Sequence, residues 1–471
     1  MKEKDYFSRI GLITYPYFTE KQVLSEHHKL SVPLHKQLLE KMGRRQLKVF
    51  SAPSPIKSEA DALSQGEKLL NKGIDLVIAY IPQFTRPSAI VRNALQLRVP
   101  FVLYGSLPGV IACGGSLHQV GHPHIRVYKD AGEKNISSNI LSYSRAAFAK
   151  RKLINQIYGI FGGRSIGMYA TVFDPNQVTE LFGVDVEHIP QREIIRKAEK
   201  ITKNRTDKYL RWLEDTCGGI VSNLNAEERN VILRASIASY LATKELVREY
   251  RLDFIGVKCQ PPGTIHNYVT QCLAASSFPD PYDGEGEKEP FAYACEADGD
   301  AGLTMQILKL ISGGKATIFA DLQCRFPDGT FSIKNCGGMA TYYAGRNSDP
   351  KKNMKNVYLA VQKLKIRENI VNYINVTYVA APGEMTFARL YRDENRNYKM
   401  AIMKGEFVRR PGIKNKKGTY DYLQAFTRLE INDFDKMVNE LGSHHILGVE
   451  GNHVEELKYI CGLYKIETVF F

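Results

Sequence analysis

The sequence predicts an α/β protein with two flavodoxin- or Rossmann-like, doubly wound parallel-sheet domains followed by a β-rich, barrel-like C-terminal domain. Two observations carry this prediction. Short β-rich runs alternate with amphipathic helical stretches through the first part of the 471-residue chain. Beyond about Cys324, short strands separated by turns replace that alternation. Strands alternating with helices are typical of right-handed βαβ units in a parallel sheet that is covered on both faces.

The N-terminal domain is predicted from four strands and the helical stretches between them. The strands begin near Arg9, Leu47, Gly73 and Pro100. The amphipathic stretches cover Ser25–Lys41, Glu59–Asn71 and Pro87–Leu97. We end this domain at residue 163, because Gly162 and Gly163 precede a further predicted strand that begins at Arg164.

A second αβ pattern and then a strand-rich pattern follow. We assign residues 164–324 to a central α/β domain, in which the strands FAYACEA and ATIFADLQ flank a helix over Ala301–Ile311. Residues 325–471 contain short predicted strands such as TFSIK, MTFARLYRD and YKMAIMKGEFV, with few helical stretches. This pattern favours a β-rich barrel or sandwich.

Composition and charge limit the class of protein. No apolar run approaches the roughly 20 residues that span a bilayer, and the short apolar segment near the N-terminus fits a first strand better than a signal peptide. We therefore expect a cytoplasmic protein without a membrane partner. The net charge of +14 is dispersed, and its densest groups lie in predicted surface loops without regularly interleaved aromatic residues: Lys351, Lys352 and Lys355, and Lys414, Lys416 and Lys417. A solvated surface or attraction of an anionic substrate explains the charge better than a nucleic-acid partner does.

The eight cysteines show no CxxC spacing and are predicted to be reduced thiols of the core. Four of them lie in or beside predicted strands, where cysteine is commonly buried: Cys259, Cys295, Cys324 and Cys336.

Two acidic residues stand at predicted strand ends. Glu296 closes the strand FAYACE and Asp321 closes the next strand, ATIFAD. Ligands of open parallel sheets bind beyond the carboxyl ends of the strands, so these carboxylates are expected side by side at one crevice. Two such oxygen donors suit Mn²⁺ or Mg²⁺, although acids at strand ends also serve as helix N-caps.

Histidines cluster near the C-terminus in the segment GSHHILGVEGNH. On a strand, alternation would send the side chains of His444 and His445 to opposite faces, so only one of them is expected to enter a given site. Histidines bonded to backbone carbonyls in a turn are the alternative interpretation.

Several segments together resemble the L-fucose/L-arabinose isomerase superfamily. They are CEADGDAGLTMQIL, FADL and SHHILGVEGN, joined in the right order by RSIGMYATVFDP, GVKCQPP and PGEMTFARLYRD. The resemblance implies two α/β domains and a β-barrel-containing domain, a homo-oligomer with its active site near a subunit interface, and a Mn²⁺ ion, with Mg²⁺ or Co²⁺ as alternatives. It implies that Glu296, Asp321 and His445 bind this metal.

The same resemblance implies aldose–ketose isomerisation of an open-chain sugar through a cis-enediol. Glu296 and Asp321 are the candidates for the acid/base pair, and which of them is the base stays open. Gln260 and His444 are candidate sugar contacts. Arg389 either contacts an anionic substrate or forms an ion pair between strands.

The sequence is therefore consistent with three functions. The first is isomerisation of a neutral aldose such as fucose or arabinose. The second keeps the chemistry but takes an anionic sugar, either sulfoquinovose-like or phosphorylated. The third is a sugar-binding protein without turnover, which would need neither a metal nor two carboxylates.

Overall fold

The structure, a computed structural model, describes residues 6, 8–16, 36, 40, 47–52, 55–128, 137–259, 269–366, 369–410 and 423–471. It divides into two compact units, one of residues 3–152 with 455–465 and the other of residues 153–454 with 466–471. Of the predicted helix Ser25–Lys41, only Lys36 and Glu40 are described, and both are helical. The boundaries at residues 163 and 324 stay predictions.

The unit of residues 3–152 contains a five-stranded parallel sheet. Its strands are β1 (Arg9–Thr14), β2 (Lys48–Ser51), β3 (Leu76–Ile81), β4 (Phe101–Gly105) and β5 (His124–Tyr128). Its helices are α1 (Glu59–Leu70), α2 (Pro87–Leu97), α3 (Leu107–Gln119) and α4 (Ser138–Leu153), with a later helix, Val454–Tyr464, also packed in this unit. The strand order β2-β1-β3-β4-β5 is that of flavodoxin-like sheets. The predicted parallel α/β architecture is therefore confirmed here.

Local sequence explains these elements. All six residues of β3 are buried, as expected of a central strand covered on both faces. Helix α1 begins where the Ser58 side chain accepts a hydrogen bond from the Asp61 backbone N–H, a cap that stabilises a helix by about 1 kcal/mol. Helix α2 begins with Pro87 in its first turn, where the missing N–H costs nothing.

The other unit contains most of the remaining elements. Its strands are β6 (Ile157–Phe161), β7 (Asp185–Ile189), β8 (Gly219–Ser222), β9 (Phe254–Val257), β10 (Tyr282–Asp283), β11 (Gly286–Glu287), β12 (Tyr293–Cys295), β13 (Thr317–Arg325), β14 (Phe331–Asn335), β15 (Tyr358–Ile366), β16 (Asn369–Thr377), β17 (Gly383–Arg392), β18 (Tyr398–Phe407), β19 (Leu423–Leu429), β20 (His445–Glu450) and β21 (Glu467–Val469). Its helices are α5 (Pro175–Phe182), α6 (Arg192–Ala198), α7 (Lys203–Thr216), α8 (Ala226–Glu249), α9 (Cys272–Ser277), α10 (Gly299–Ile311), α11 (Pro350–Met354) and α12 (Phe434–Glu440).

Two of its sheets matter for the site. Strands β12-β9-β6-β7 form a second parallel sheet. Strands β17-β20-β13-β14-β19-β18 form an antiparallel sheet, which closes on itself because β17 also pairs with β18. The parallel strand β21 extends this sheet at β18. The prediction of a β-rich C-terminal region is thus confirmed.

One predicted strand is wrong. No strand begins at Arg164; instead Tyr169–Thr171 forms a short 3-10 helix. Ile166 and Gly167 have φ values of 48° and 74°, which an extended strand does not accommodate. Within the described residues, no helix is both long and apolar enough to cross a membrane.

Candidate metal centre

Glu296 and Asp321 come from two different sheets. Glu296 directly follows β12, at the carboxyl end of the parallel sheet, as predicted. Asp321 lies inside β13, which pairs antiparallel with β14 and β20. The expectation that the two acids close neighbouring strands of one parallel sheet is therefore wrong. The strand ATIFADLQ does not return to the parallel sheet but enters the closed antiparallel one.

Strand register brings Asp321 beside His445. The two residues are direct partners across β13 and β20, so their side chains share a face. His445 Nε2 lies 3.5 Å from Asp321 Oδ1 and 3.6 Å from Glu296 Oε2. The His445 side chain is only 1% exposed, and its ring packs on Phe319 with centroids 4.6 Å apart. The structure thus brings together the three residues predicted as metal ligands.

The backbone at Glu296 is strained. Glu296 and Ala297 have φ values of 60° and 54°, a left-handed conformation that side-chain-bearing residues rarely adopt. The Ala297 N–H donates to the carbonyl of Val257, which holds the turn in place. Strain of this kind persists where the surroundings fix it and is concentrated at functional sites.

Asp298 organises the candidate centre, although the sequence analysis assigned it no role beyond its place in the CEADGD segment. Its carboxylate accepts from His445 Nδ1 at 2.7 Å, from Arg389 at 2.8 and 3.1 Å, and from the Ala301 backbone N–H at 3.0 Å. Asp298 and Arg389 are fully buried. With Nδ1 bonded to Asp298, His445 presents Nε2 to the two outer carboxylates, as metal-binding histidines do. An acid two residues after a strand-end glutamate, at a helix N-terminus, was the available signal.

Burial and neighbouring charges set the protonation of the acids. Burial raises the pKa of Glu296, and the Asp321 and Asp298 carboxylates add to this rise while His445 opposes it. Burial likewise raises the pKa of Asp321, against the opposing effects of His445 and Asn335. Burial alone would also raise the pKa of Asp298, but Arg389 and His445 outweigh it and hold that pKa well below its usual range. Asp298 is therefore a permanent anion, whereas the outer pair binds protons more readily.

The donor set fits a divalent cation. Asp321 Oδ1 is buried and has no hydrogen-bond partner among the described residues, which is costly unless a ligand satisfies it. Two carboxylates and an imidazole suit Mn²⁺ and its neighbours in the first transition series. Ligand atoms of Asp321, His444 and His445 also lie within 4.8 Å of one another, so His444 borders the same point.

The side chains of His444 and His445 do not point to opposite faces as expected. The ring centroid of His444 lies 4.2 Å from that of His445, because His444 precedes the first residue of β20 and the strand alternation does not yet apply. Partial burial, with His445 and Arg389 nearby, lowers the pKa of His444 to about 4, so its imidazole is neutral at pH 7.

The structure describes only one of the two other candidate sugar contacts, Arg389 and Gln260. Arg389 forms a buried ion pair with Asp298, which favours a structural role, although the pair joins β17 to the N-terminus of α10 rather than to another strand as expected. Gln260 lies outside the described residues. A cleft of about 280 Å³ borders His444 and is lined mostly by apolar side chains such as Phe434. Arg325 also lines this cleft and stacks on the Phe434 ring at 4.6 Å.

Known proteins match this chain in two ways, one over its C-terminal region and one over about half of its length. Residues 333–470 match the family described as L-fucose isomerase, C-terminal domain. The chain is 22% identical over 302 residues to L-fucose isomerases of Escherichia coli strains 55989 and K12 DH10B. Each match covers 56% of this chain, and the chain spans about half (50%) of the length of these relatives.

Solved structures give only a slight likeness. A carbohydrate transporter from Acidothermus cellulolyticus in complex with myo-inositol is 12% identical, covers 66% of this chain and 91% of its own, and has a TM-score of 0.20. A periplasmic solute binding protein from Actinobacillus succinogenes with bound D-allose has a TM-score of 0.18 at 11% identity, covering 65% of this chain and 93% of its own. Neither score supports a structural conclusion. The C-terminal domain match and the partial match to L-fucose isomerases together support a fucose isomerase-like family for this chain.

Proposed function

We propose that this chain is a divalent-metal-dependent aldose–ketose isomerase that acts on an open-chain sugar. In this proposal Glu296, Asp321 and His445 hold the metal. One observation carries it: two carboxylates of raised pKa approach the same imidazole nitrogen, and one of their buried oxygens has no partner among the described residues. The fucose isomerase-like family supports a sugar as the substrate.

Each residue has a distinct part in the proposed reaction. A bound Mn²⁺, Mg²⁺ or Co²⁺ would supply Lewis-acid polarisation of the sugar carbonyl. Glu296 and Asp321 are the groups that would move a proton between C2 and C1, because burial makes both of them better proton acceptors than free carboxylates. Asp298 would keep Nδ1–H of His445 bonded, leaving Nε2 free to act as a ligand.

A neutral aldose is the favoured substrate. Arg389, the cation that would have served an anionic sugar, is neutralised by the bidentate bond to Asp298. The cleft beside His444 is mostly apolar. Arg325 at this cleft is the observation that keeps an anionic sugar as the second candidate.

The test is a substrate panel with Mn²⁺, read out as ketose formation. We expect turnover of neutral aldoses by the wild type and its loss, by at least roughly a hundredfold, in Glu296→Gln and Asp321→Asn, the range typical for loss of a general acid or base. Near-wild-type turnover by either variant would show that the acid/base assignment is wrong. Sugar binding without any turnover would favour the non-catalytic alternative.

Arg325→Gln is the matched control for substrate charge. For a neutral aldose this variant should leave KM unchanged. If the anionic candidate is correct, the wild type will turn over sulfonated or phosphorylated sugars preferentially, and Arg325→Gln will raise KM for them alone.

A further inference from the structure

Four of the eight cysteines lie together beside the candidate metal centre. Cys259 follows β9, Cys272 begins α9, Cys295 ends β12, and Cys336 follows β14. All four line one pocket, together with Tyr293 and Asn335. The described side chains leave no space in this pocket for a water molecule.

Cys272 and Cys336 are in direct contact. The thiol of Cys272 hydrogen-bonds to that of Cys336. The residue after Cys336 also lies close to Cys272, because a Cβ placed on Gly337 would collide with the carbonyl of Cys272. Since only glycine fits at position 337, the chain next to Cys336 is held against the start of α9. Two thiols in hydrogen-bond contact, on chain segments packed against each other, are the pair between which a disulfide can form.

The two thiols differ in reactivity. Cys336 is only partly buried, and the hydrogen bond from Cys272, with the Tyr373 hydroxyl nearby, lowers its pKa despite burial. Cys272 is buried, and its bond to Cys336 and its burial raise its pKa well above the usual value. A more acidic thiol within reach of solvent, in contact with a second thiol, is the arrangement of an oxidisable cysteine and its resolving partner.

The pair is linked to the metal centre through Asn335. The Asn335 side-chain oxygen accepts from the backbone N–H groups of Gly337 and Gly338 at 3.0 and 2.7 Å. Its amide nitrogen donates to Asp321 Oδ2 at 3.5 Å. Asn335 therefore joins the backbone that follows Cys336 to the Asp321 carboxylate.

We propose that Cys336 and Cys272 are a modification site at which a peroxide closes a reversible disulfide, and that this bond weakens metal binding at Asp321. Hydrogen peroxide oxidises the sulfur of Cys336 to a sulfenic acid and one oxygen leaves as water. The sulfur of Cys272 then attacks, the S–S bond forms, and the sulfenic oxygen leaves as a second water. The two electrons that reduce the peroxide come from the two sulfurs, and a thiol reductant reverses the reaction.

The test uses the full chain loaded with Mn²⁺. The protein is treated with hydrogen peroxide, its free thiols are alkylated, and it is digested without reduction for mass spectrometry. We expect a peptide pair linked through Cys272 and Cys336 that disappears with dithiothreitol and is absent from Cys336→Ser. The exposed Cys324 is the control, because Cys324→Ser should leave the linked pair unchanged. Oxidation of Cys324 in the wild type without any link between Cys272 and Cys336 would overturn the proposal.

The effect on metal binding rests on the proposed function and has a separate readout. Mn²⁺ affinity is measured by electron paramagnetic resonance before and after oxidation, and we expect it to fall roughly tenfold, the effect typical of disturbing a residue that orients a ligand. Equal affinity in both states would overturn the link to Asp321. A reduced protein that binds no Mn²⁺ would instead contradict the proposed function, and the peptide map would still decide whether the disulfide forms.

Discussion

Asp298 shows how one buried carboxylate can determine the character of a site. Its carboxylate accepts hydrogen bonds from Arg389, from His445 and from the Ala301 backbone N–H at the N-terminus of α10. Its pKa is lowered, whereas the pKa values of Glu296 and Asp321 are raised. A buried anion is tolerated only when its partners satisfy it, and here Arg389 and His445 do so. Because the same carboxylate fixes the His445 ring, it acts as a positioning residue for the proposed metal.

Replacing Asp298 with Asn should weaken Mn²⁺ binding roughly 10–100-fold, because His445 loses the charged partner that orients it. Asn keeps the size of the side chain and can still accept from the Ala301 N–H. Mn²⁺ titration, followed by electron paramagnetic resonance on protein shown to be folded by circular dichroism, measures the effect.

Asp300→Asn is the matched control for this prediction. Asp300 lies in the first turn of α10, the helix that Asp298 caps, but it pairs with Arg392 rather than with His445. The Mn²⁺ affinity of Asp300→Asn should stay close to that of the wild type. A similar loss of affinity in both variants would mean that Asp298 acts only through the stability of this turn.

At the scale of elements, helix α10 connects the turn at Glu296 to the rest of the unit. Every residue of Gly299–Ile311 is buried, so the helix passes between the layers of the unit with no solvent-facing side. A Cβ at Gly299 would collide with Phe173, and one at Gly302 would collide with the Tyr158 hydroxyl. The absence of side chains at these positions therefore allows the helix to lie as close as it does.

Gly302→Ala should destabilise the protein by about 1–3 kcal/mol, the usual effect of overpacking a core. Because the collision involves the Tyr158 hydroxyl, Tyr158→Phe should recover part of this loss in the double variant. Urea denaturation followed by circular dichroism measures the free energy of unfolding.

The control is Gly115→Ala in α3, where a Cβ would meet nothing within 4 Å. This change should be neutral or should stabilise the protein by roughly 0.5–1 kcal/mol, because alanine is the better helix former. A loss of stability in Gly115→Ala as large as that in Gly302→Ala would contradict the packing explanation.

At the scale of the whole molecule, the unit of residues 153–454 with 466–471 contains every residue of the candidate centre. It also contains Trp212, the only tryptophan of the sequence, which is partly buried against the core of this unit. The fluorescence of Trp212 therefore reports the unfolding of the unit that holds the site. A homo-oligomer with an interface near this site stays a prediction.

Removing divalent metal with EDTA should lower the melting temperature reported by Trp212, and Mn²⁺ should restore it. A ligand at a hundred times its Kd stabilises the folded state by about 2.7 kcal/mol. The stabilisation should be lost in Glu296→Gln, Asp321→Asn and His445→Ala, because each removes a proposed ligand.

His444→Ala decides between the two neighbouring histidines. We expect this variant to keep the response to Mn²⁺, since His445 is the buried imidazole that faces both carboxylates. Loss of the response in His444→Ala and its retention in His445→Ala would show that the ligand assignment is wrong.

Sequence determined the features that depend on local pattern. The apolar runs at β1, β3 and β4, the helices between them and the strand-rich C-terminal region follow from periodicity and turn residues alone. The position of Glu296 after a strand follows from the same reasoning. The strand predicted from Arg164 is wrong, because a run rich in apolar residues does not reveal the positive φ values at Ile166 and Gly167.

Tertiary structure decided what depends on contacts between distant segments. Glu296 and Asp321 were expected at one sheet edge, yet the parallel sheet supplies one and the closed antiparallel sheet the other, with His445 set beside Asp321 by the register of β13 and β20. The proposed roles of Asp298, Arg389 and the pair Cys272–Cys336 likewise depend on contacts with partners far along the chain. A periodic pattern specifies which face of an element is buried, but strand register and the packing of sheets decide which buried groups meet.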